Sequence, residues 1–202
     1  MTIGLFGGTF DPPHIAHTSL AETFRRQLLL DEVWLLVTPQ NPWKRDQRLT
    51  SDDRRMAMTR LAVDGHEGLV ASDYEFHLPK PTYTFQTLRH LRDDFPQHDF
   101  TLLVGGDNWE AFDHWAEYRE ILSCHDIAVY PRPGCKVTTP DAVSTFLASP
   151  ASGSHGRITI LKAEQYPVSS TMIREKVASH EDISLYTAPR VREYILKNGI
   201  YL

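Results

Sequence analysis

The residues able to do chemistry gather near the two ends of the sequence. Near the start, Gly7, Gly8, Thr9 and Phe10 run through Asp11, Pro12 and Pro13 to His14 and His17. Glycine after an apolar strand lets the backbone come close to a ligand, and the next helix directs its first N–H groups the same way. His14 and His17 are three residues apart, so their imidazoles share one helix face and can donate to phosphate oxygens. Three other readings stay open at this point: a tight turn with two surface histidines, a metal-chelating pair, and a nucleophile with its base. No carboxylate or third histidine has suitable local spacing for a metal, and no protein ligand to a metal is expected.

Near the other end, Ser169, Ser170 and Thr171 precede a helical pattern, and Arg174 follows one turn on. Hydroxyls and backbone donors at a helix start hold anions. The fork of an arginine can reach the same phosphates. By itself this segment also reads as an ordinary capped helix with a solvated arginine.

The elements that must position these residues alternate along the chain. Thr2 to Phe6, Glu32 to Pro39, Leu69 to Phe76, "FTLLVGGDNW", "DIAVYPRPG" and "RITILKA" read as strands. Helical spacing appears from His14, with His17, Leu20, Ala21, Phe24 and Leu28 on one face. It returns over Met56 to Val63, in "TYTFQTLRHLRDDF", and in two closing segments, "SSTMIREKVASH" and "APRVREYILKNGIYL". The stretch "NPWKRDQRLTSDDRR" reads as a polar loop, and "TTPDAVSTFLASPASGSHG" as loop with room for a short helix. The pattern predicts an α/β fold, a Rossmann-like doubly wound parallel sheet, in a single domain over residues 1–202. In such sheets ligands bind beyond the carboxyl ends of the strands. The glycines at 7, 8, 105 and 106 should then line one crevice.

Charge and cysteine usage narrow the class. A net charge of −5 argues against a general nucleic-acid binder. The two cysteines, Cys124 and Cys135, form no CxxC pair and are too few for a disulfide framework, so buried or half-buried free thiols are expected. No signal peptide or membrane-long apolar run is evident, and a cytoplasmic protein with no membrane partner is expected.

"GGTFDPPHIAH" resembles the N-terminal signature of the nucleotidyltransferase superfamily that carries an HxGH motif. It departs at Ala16, where the family pattern usually has glycine, which adds one methyl where adenine approaches the helix. "VSSTMIREKV" resembles the superfamily's ISSTxIR segment. "PTYTFQTL", "GGDNWEAFDHW", "PRPG" and "VREYILKNGIYL" are similar to segments of bacterial nicotinate-nucleotide adenylyltransferases.

That resemblance implies transfer of AMP from ATP to nicotinate mononucleotide, releasing pyrophosphate. It implies that His17 stabilises the α-phosphate and that His14 holds the ATP phosphates. Gly7, Gly8, Thr9 and Phe10 would approach the substrates, and Ser169, Ser170 and Thr171 would anchor the triphosphate. Lys44 and Arg174 would offset negative charge. Gly105 and Asp107 would contact the nucleotide ribose. Tyr83 and Thr84 would lie near the nicotinate end, Trp115 would stack on its ring, and Arg132 would face phosphate. Mg2+ is expected with ATP, on phosphate oxygens and water. The bland alternatives are a core aromatic at Trp115, a helix cap at Asp107 and a solvated loop charge at Lys44. Same-chemistry rivals use nicotinamide mononucleotide or phosphopantetheine as acceptor, or transfer CMP. A rival of another class is a non-catalytic nucleotide-sensing module. A homo-oligomer is left open.

Overall fold

Among the described residues, six strands form one sheet, and every neighbouring pair is parallel. The computed structural model describes residues 1–39, 49–131, 137–149 and 156–202. Lys44, Arg132 and Cys135 lie outside the described residues. The strands are β1 (Thr2–Gly8), β2 (Glu32–Val37), β3 (Leu69–Ser72), β4 (Asp99–Gly105), β5 (Asp126–Tyr130) and β6 (Ile158–Ile160). Their spatial order is β3-β2-β1-β4-β5-β6, the doubly wound arrangement expected from the alternation of elements.

Helices cover both faces, as a parallel sheet requires. They are α1 (Ile15–Leu28), α2 (Asp52–Val63), α3 (Thr84–Asp94), α4 (Gly106–Trp109), α5 (Tyr118–Cys124), α6 (Asp141–Ala148), α7 (Ser170–Ala178) and α8 (Pro189–Lys197). Side chains alternate across each strand. Ile3, Leu5, Leu102, Val104, Ile127 and Val129 pack on one face with Leu88 and Leu91 of α3 and Ile121 and Leu122 of α5. Phe6, Val33, Leu35, Leu103 and Ala128 pack on the other, with Leu20, Ala21 and Phe24 of α1. A third cluster joins Met58 and Ala62 of α2 to Ile173 and Val177 of α7 and to Val191 and Ile195 of α8. That cluster carries the C-terminal helices back beside the start of the chain.

The register opens the crevice. The β1–β4 ladder runs from Thr2–Asp99 only to Leu5–Leu102. The β1–β2 ladder continues to Gly8–Val37, and the β4–β5 ladder to Gly105–Tyr130. The two central strands therefore part before either ends, at the point where strand order reverses and ligands bind in such sheets.

Three expectations needed correction. The strand expected over Leu69 to Phe76 stops at Ser72, and Tyr74–His77 forms a 3-10 turn that buries Glu75. Neither α5 nor α4, which begins at Gly106 inside the expected strand "FTLLVGGDNW", was anticipated. Cys124, expected to be buried or half-buried, is exposed. No helix among the described residues is long and apolar enough to cross a membrane.

Candidate active site

Beyond Gly8 the chain turns through Thr9, Phe10, Asp11 and Pro12 into the N-cap residue His14. Phe10 has φ 46°, the left-handed region, which costs roughly 1–3 kcal/mol for a residue with a side chain. Burial of its ring offsets that cost: Phe10 is 1% exposed and packs edge-on against Phe6 at 5.5 Å and His17 at 5.0 Å. Gly8 permits this turn, because a Cβ there would lie 2.9 Å from Cζ of Phe10.

The two histidines stack with ring centroids 3.7 Å apart. The His14 backbone N–H donates to His17 Nδ1 at 3.1 Å. Nδ1 is thus the acceptor, and neutral His17 carries its proton on Nε2. The Ile15 N–H is engaged by the Tyr186 carbonyl at 3.0 Å. The start of α1 therefore offers fewer open backbone donors than the sequence suggests, and more of the cradle rests on imidazoles.

The far signature docks directly on this turn. Arg174 Nη1 donates to the Asp11 carbonyl at 2.7 Å, and Nη2 to Thr171 Oγ1 at 3.0 Å. Ser170 Oγ donates to the Pro12 carbonyl at 2.8 Å. Ser169 Oγ accepts from the Met172 N–H at 3.2 Å and caps α7. Ser170 and Arg174 thus fasten α7 against the loop leading to the histidines, while Ser169 caps the helix and Thr171 holds the arginine.

Sequence reasoning missed two residues beneath the turn. Asp11 is 1% exposed; its carboxylate accepts from the Thr50 N–H at 3.0 Å and from the Tyr201 hydroxyl. Burial first, then the neighbouring Asp11 charge, pushes the Tyr201 hydroxyl up in pKa and keeps it a donor. Arg55 is wholly buried and reaches the Thr9 carbonyl. The GTFDP run held the only signal for Asp11.

The other expected residues belong to the β4 half. Gly105 ends β4 and caps α4, and Asp107 is exposed in the first turn of α4. Trp109, Phe112 and Trp115 form a ladder with successive centroids 5.0 Å apart; Trp109 and Phe112 are buried and Trp115 is half-buried. Trp115 is thus both seated on the core and partly open. Tyr83 precedes α3, its N–H donates to Gln86 Oε1 at 3.2 Å, and Thr84 begins the helix. Phe85 and Trp115 pack on the same core cluster, on the face opposite Phe10. The structure therefore brings the turn, the histidines, Ser170 and Arg174 into one connected group. Trp115 and Phe85, whose ring stacks with Tyr83, pack on the opposite face of the sheet.

A parallel sheet that splits at its reversal point, with paired imidazoles and an arginine at the split, defines a doubly wound α/β protein of the kind that binds ligands there. The cytidylyltransferase-like family model matches residues 5–176. The chain belongs to that family, in the branch of the nicotinate-nucleotide adenylyltransferases. It is 39% identical over 201 residues to a Flavobacterium psychrophilum protein named "Probable nicotinate-nucleotide adenylyltransferase", covering 100% of this chain and 99% of the relative. A Bacteroides fragilis protein of the same name is 38% identical over 194 residues, covering 96% and 90%. The fold matches the solved structure of Plasmodium falciparum nicotinic acid mononucleotide adenylyltransferase complexed with NaAD. The TM-score is 0.75 at 20% identity, covering 99% of this chain and 97% of that one.

Proposed function

We propose that the whole chain acts as one adenylyltransferase domain that joins AMP from ATP to nicotinate mononucleotide, giving nicotinate adenine dinucleotide and pyrophosphate. The observation that carries this reading is the docking of Arg174 on the Asp11 carbonyl, which joins the two signatures at one strand end. The full-length relatives named for this activity support it.

The acceptor brings its own nucleophile, a 5′-phosphate oxygen already ionised near neutral pH. The protein needs no covalent intermediate. Its task is alignment and neutralisation of charge on the α-phosphate and the leaving pyrophosphate. His17 donates from Nε2 to the α-phosphate, and His14 steadies the ATP phosphates beside it. Arg174 and Lys44 offset charge in flight. Gly7, Gly8, Thr9 and Phe10 leave room for the phosphates and supply backbone donors. Ser169, Ser170 and Thr171 present the start of α7 to the triphosphate. Gly105 and Asp107 hold a ribose.

At the acceptor end, Trp115 offers a ring face to the pyridine, and Arg132 is assigned the role of offsetting phosphate charge. The first turn of α3, from Tyr83 and Thr84, favours a negative carboxylate on that pyridine over a neutral amide. Among the described residues, no three His, Cys, Asp or Glu side chains gather as metal ligands. Mg2+ bound with ATP would use phosphate oxygens and water, and would neutralise phosphate charge.

The test is product identity. ATP labelled at the α-phosphate, incubated with nicotinate mononucleotide, should yield labelled dinucleotide and equimolar pyrophosphate. ATP binding without product from any mononucleotide would favour a sensing module.

A further inference from the structure

Arg55 stands in the first turns of α2, within a charge-rich stretch, yet it is 0% exposed. Its guanidinium gathers three backbone carbonyls from three segments. Nη1 donates to Thr9 O and Thr38 O, both at 2.7 Å, and Nε donates to Thr50 O at 3.0 Å. Nη2 pairs with the half-exposed Asp52 carboxylate. Thr38 follows β2, Thr50 precedes α2, and Thr9 lies in the turn between Gly8 and the left-handed Phe10.

The Thr9 contact has a consequence set by covalent geometry. The Thr9–Phe10 peptide is planar and trans, so its C=O and N–H point in opposite directions. An arginine that holds the Thr9 carbonyl turns the Phe10 N–H away from its own buried guanidinium. The same grip fixes the turn whose Phe10 ring supports His17 edge-on at 5.0 Å. Only a planar fork of several donors reaches three carbonyls and a carboxylate at once; a lysine ammonium is a single point and cannot.

We infer that Arg55 is a positioning residue for adenylyl transfer: through the Thr9 carbonyl it aims the Phe10 N–H at the substrate phosphates and sets the height of His17. It touches no substrate. The inference rests on the adenylyl-transfer reading above.

The test is Arg55→Lys, which keeps the charge and loses the fork. Rates are taken per folded molecule, with the folded fraction measured by ATP-binding titration. The expected result is a fall in kcat of about a hundredfold, the scale of an ångström of misplacement. KM for ATP and for nicotinate mononucleotide should change little. A purely structural role would lower the melting temperature and the folded fraction while leaving kcat per folded molecule unchanged. That outcome, or a rise in KM alone, overturns the inference. Should Arg55→Lys fail to fold, Asp52→Asn decides. It loosens the guanidinium from the exposed side and should lower kcat several-fold at unchanged KM; an unchanged kcat overturns the inference. An inactive wild-type protein would instead count against the adenylyl-transfer reading. The orientation is then read without turnover, from the Phe10 amide resonance. It should shift on ATP addition in the wild type and not in Arg55→Lys, and equal shifts overturn the inference.

Discussion

His17 Nδ1 accepts the His14 backbone N–H at 3.1 Å, so the proton of neutral His17 sits on Nε2. The backbone of one histidine thereby fixes the donor of the other. His17→Ala should lower kcat by about 10²–10³, the range for removing one preorganised donor. ATP binding should stay within a modest factor. Steady-state turnover and calorimetric titration check both, and turnover like that of the wild type would remove His17 from the mechanism.

Trp115 rests on Phe112 at 5.0 Å and remains half-buried. Trp115→Ala should weaken nicotinate mononucleotide binding far more than ATP binding. Equal losses in calorimetric titrations would mean that the ring serves only the core.

Gly8→Ala places a methyl 2.9 Å from the Phe10 ring, which is buried and held by its left-handed backbone. Overpacking of this kind costs about 1–3 kcal/mol. The displaced ring also moves the support of His17, so kcat should fall together with the melting temperature. A stable variant with full kcat would show that the turn tolerates displacement.

Glu75 supplies a pH signature. Burial holds its carboxyl above the usual range, and the hydrogen bond from Thr87 Oγ1, at 2.8 Å, offsets this only in part. The folded state therefore binds its proton more tightly than the unfolded chain, whose glutamate titrates near pH ~4.3. Stability from this group is fully present below that value and is lost as pH rises through the folded pKa. Glu75→Gln keeps an acceptor for Thr87 and removes the buried charge. Its melting temperature should exceed that of the wild type at pH 7 and match it near pH 4, by scanning fluorimetry. A lower value at pH 7 would mean that the carboxylate is held ionised by a favourable contact.

The legible part of the fold was what local pattern controls. Alternating apolar strands and amphipathic helices predicted the parallel sheet, and the glycines at 7, 8 and 105 marked strand ends. The strand after Leu69 was overextended because "DYEF" continues an apolar alternation, while the buried Glu75–Thr87 contact comes from a distant helix. α5 follows Glu117 in a left-handed conformation, with no capping side chain to announce it. At the site, His14, His17 and Arg174 could be read from two signatures, yet their contact spans 163 residues between Asp11 and Arg174. Arg55 and Asp11 were illegible for a different reason. Charged residues in "SDDRR" and "TFDPP" look solvated, and their burial depends on backbone carbonyls and amides from other segments.

The protein is expected to transfer adenylyl to a pyridine mononucleotide bearing a carboxylate. Initial rates of pyrophosphate release test it most directly, with ATP alone and with ATP plus nicotinate mononucleotide, nicotinamide mononucleotide or phosphopantetheine. Release is expected only with an acceptor, and fastest with nicotinate mononucleotide. Preference for phosphopantetheine, or ATP binding with no release under any condition, would contradict it.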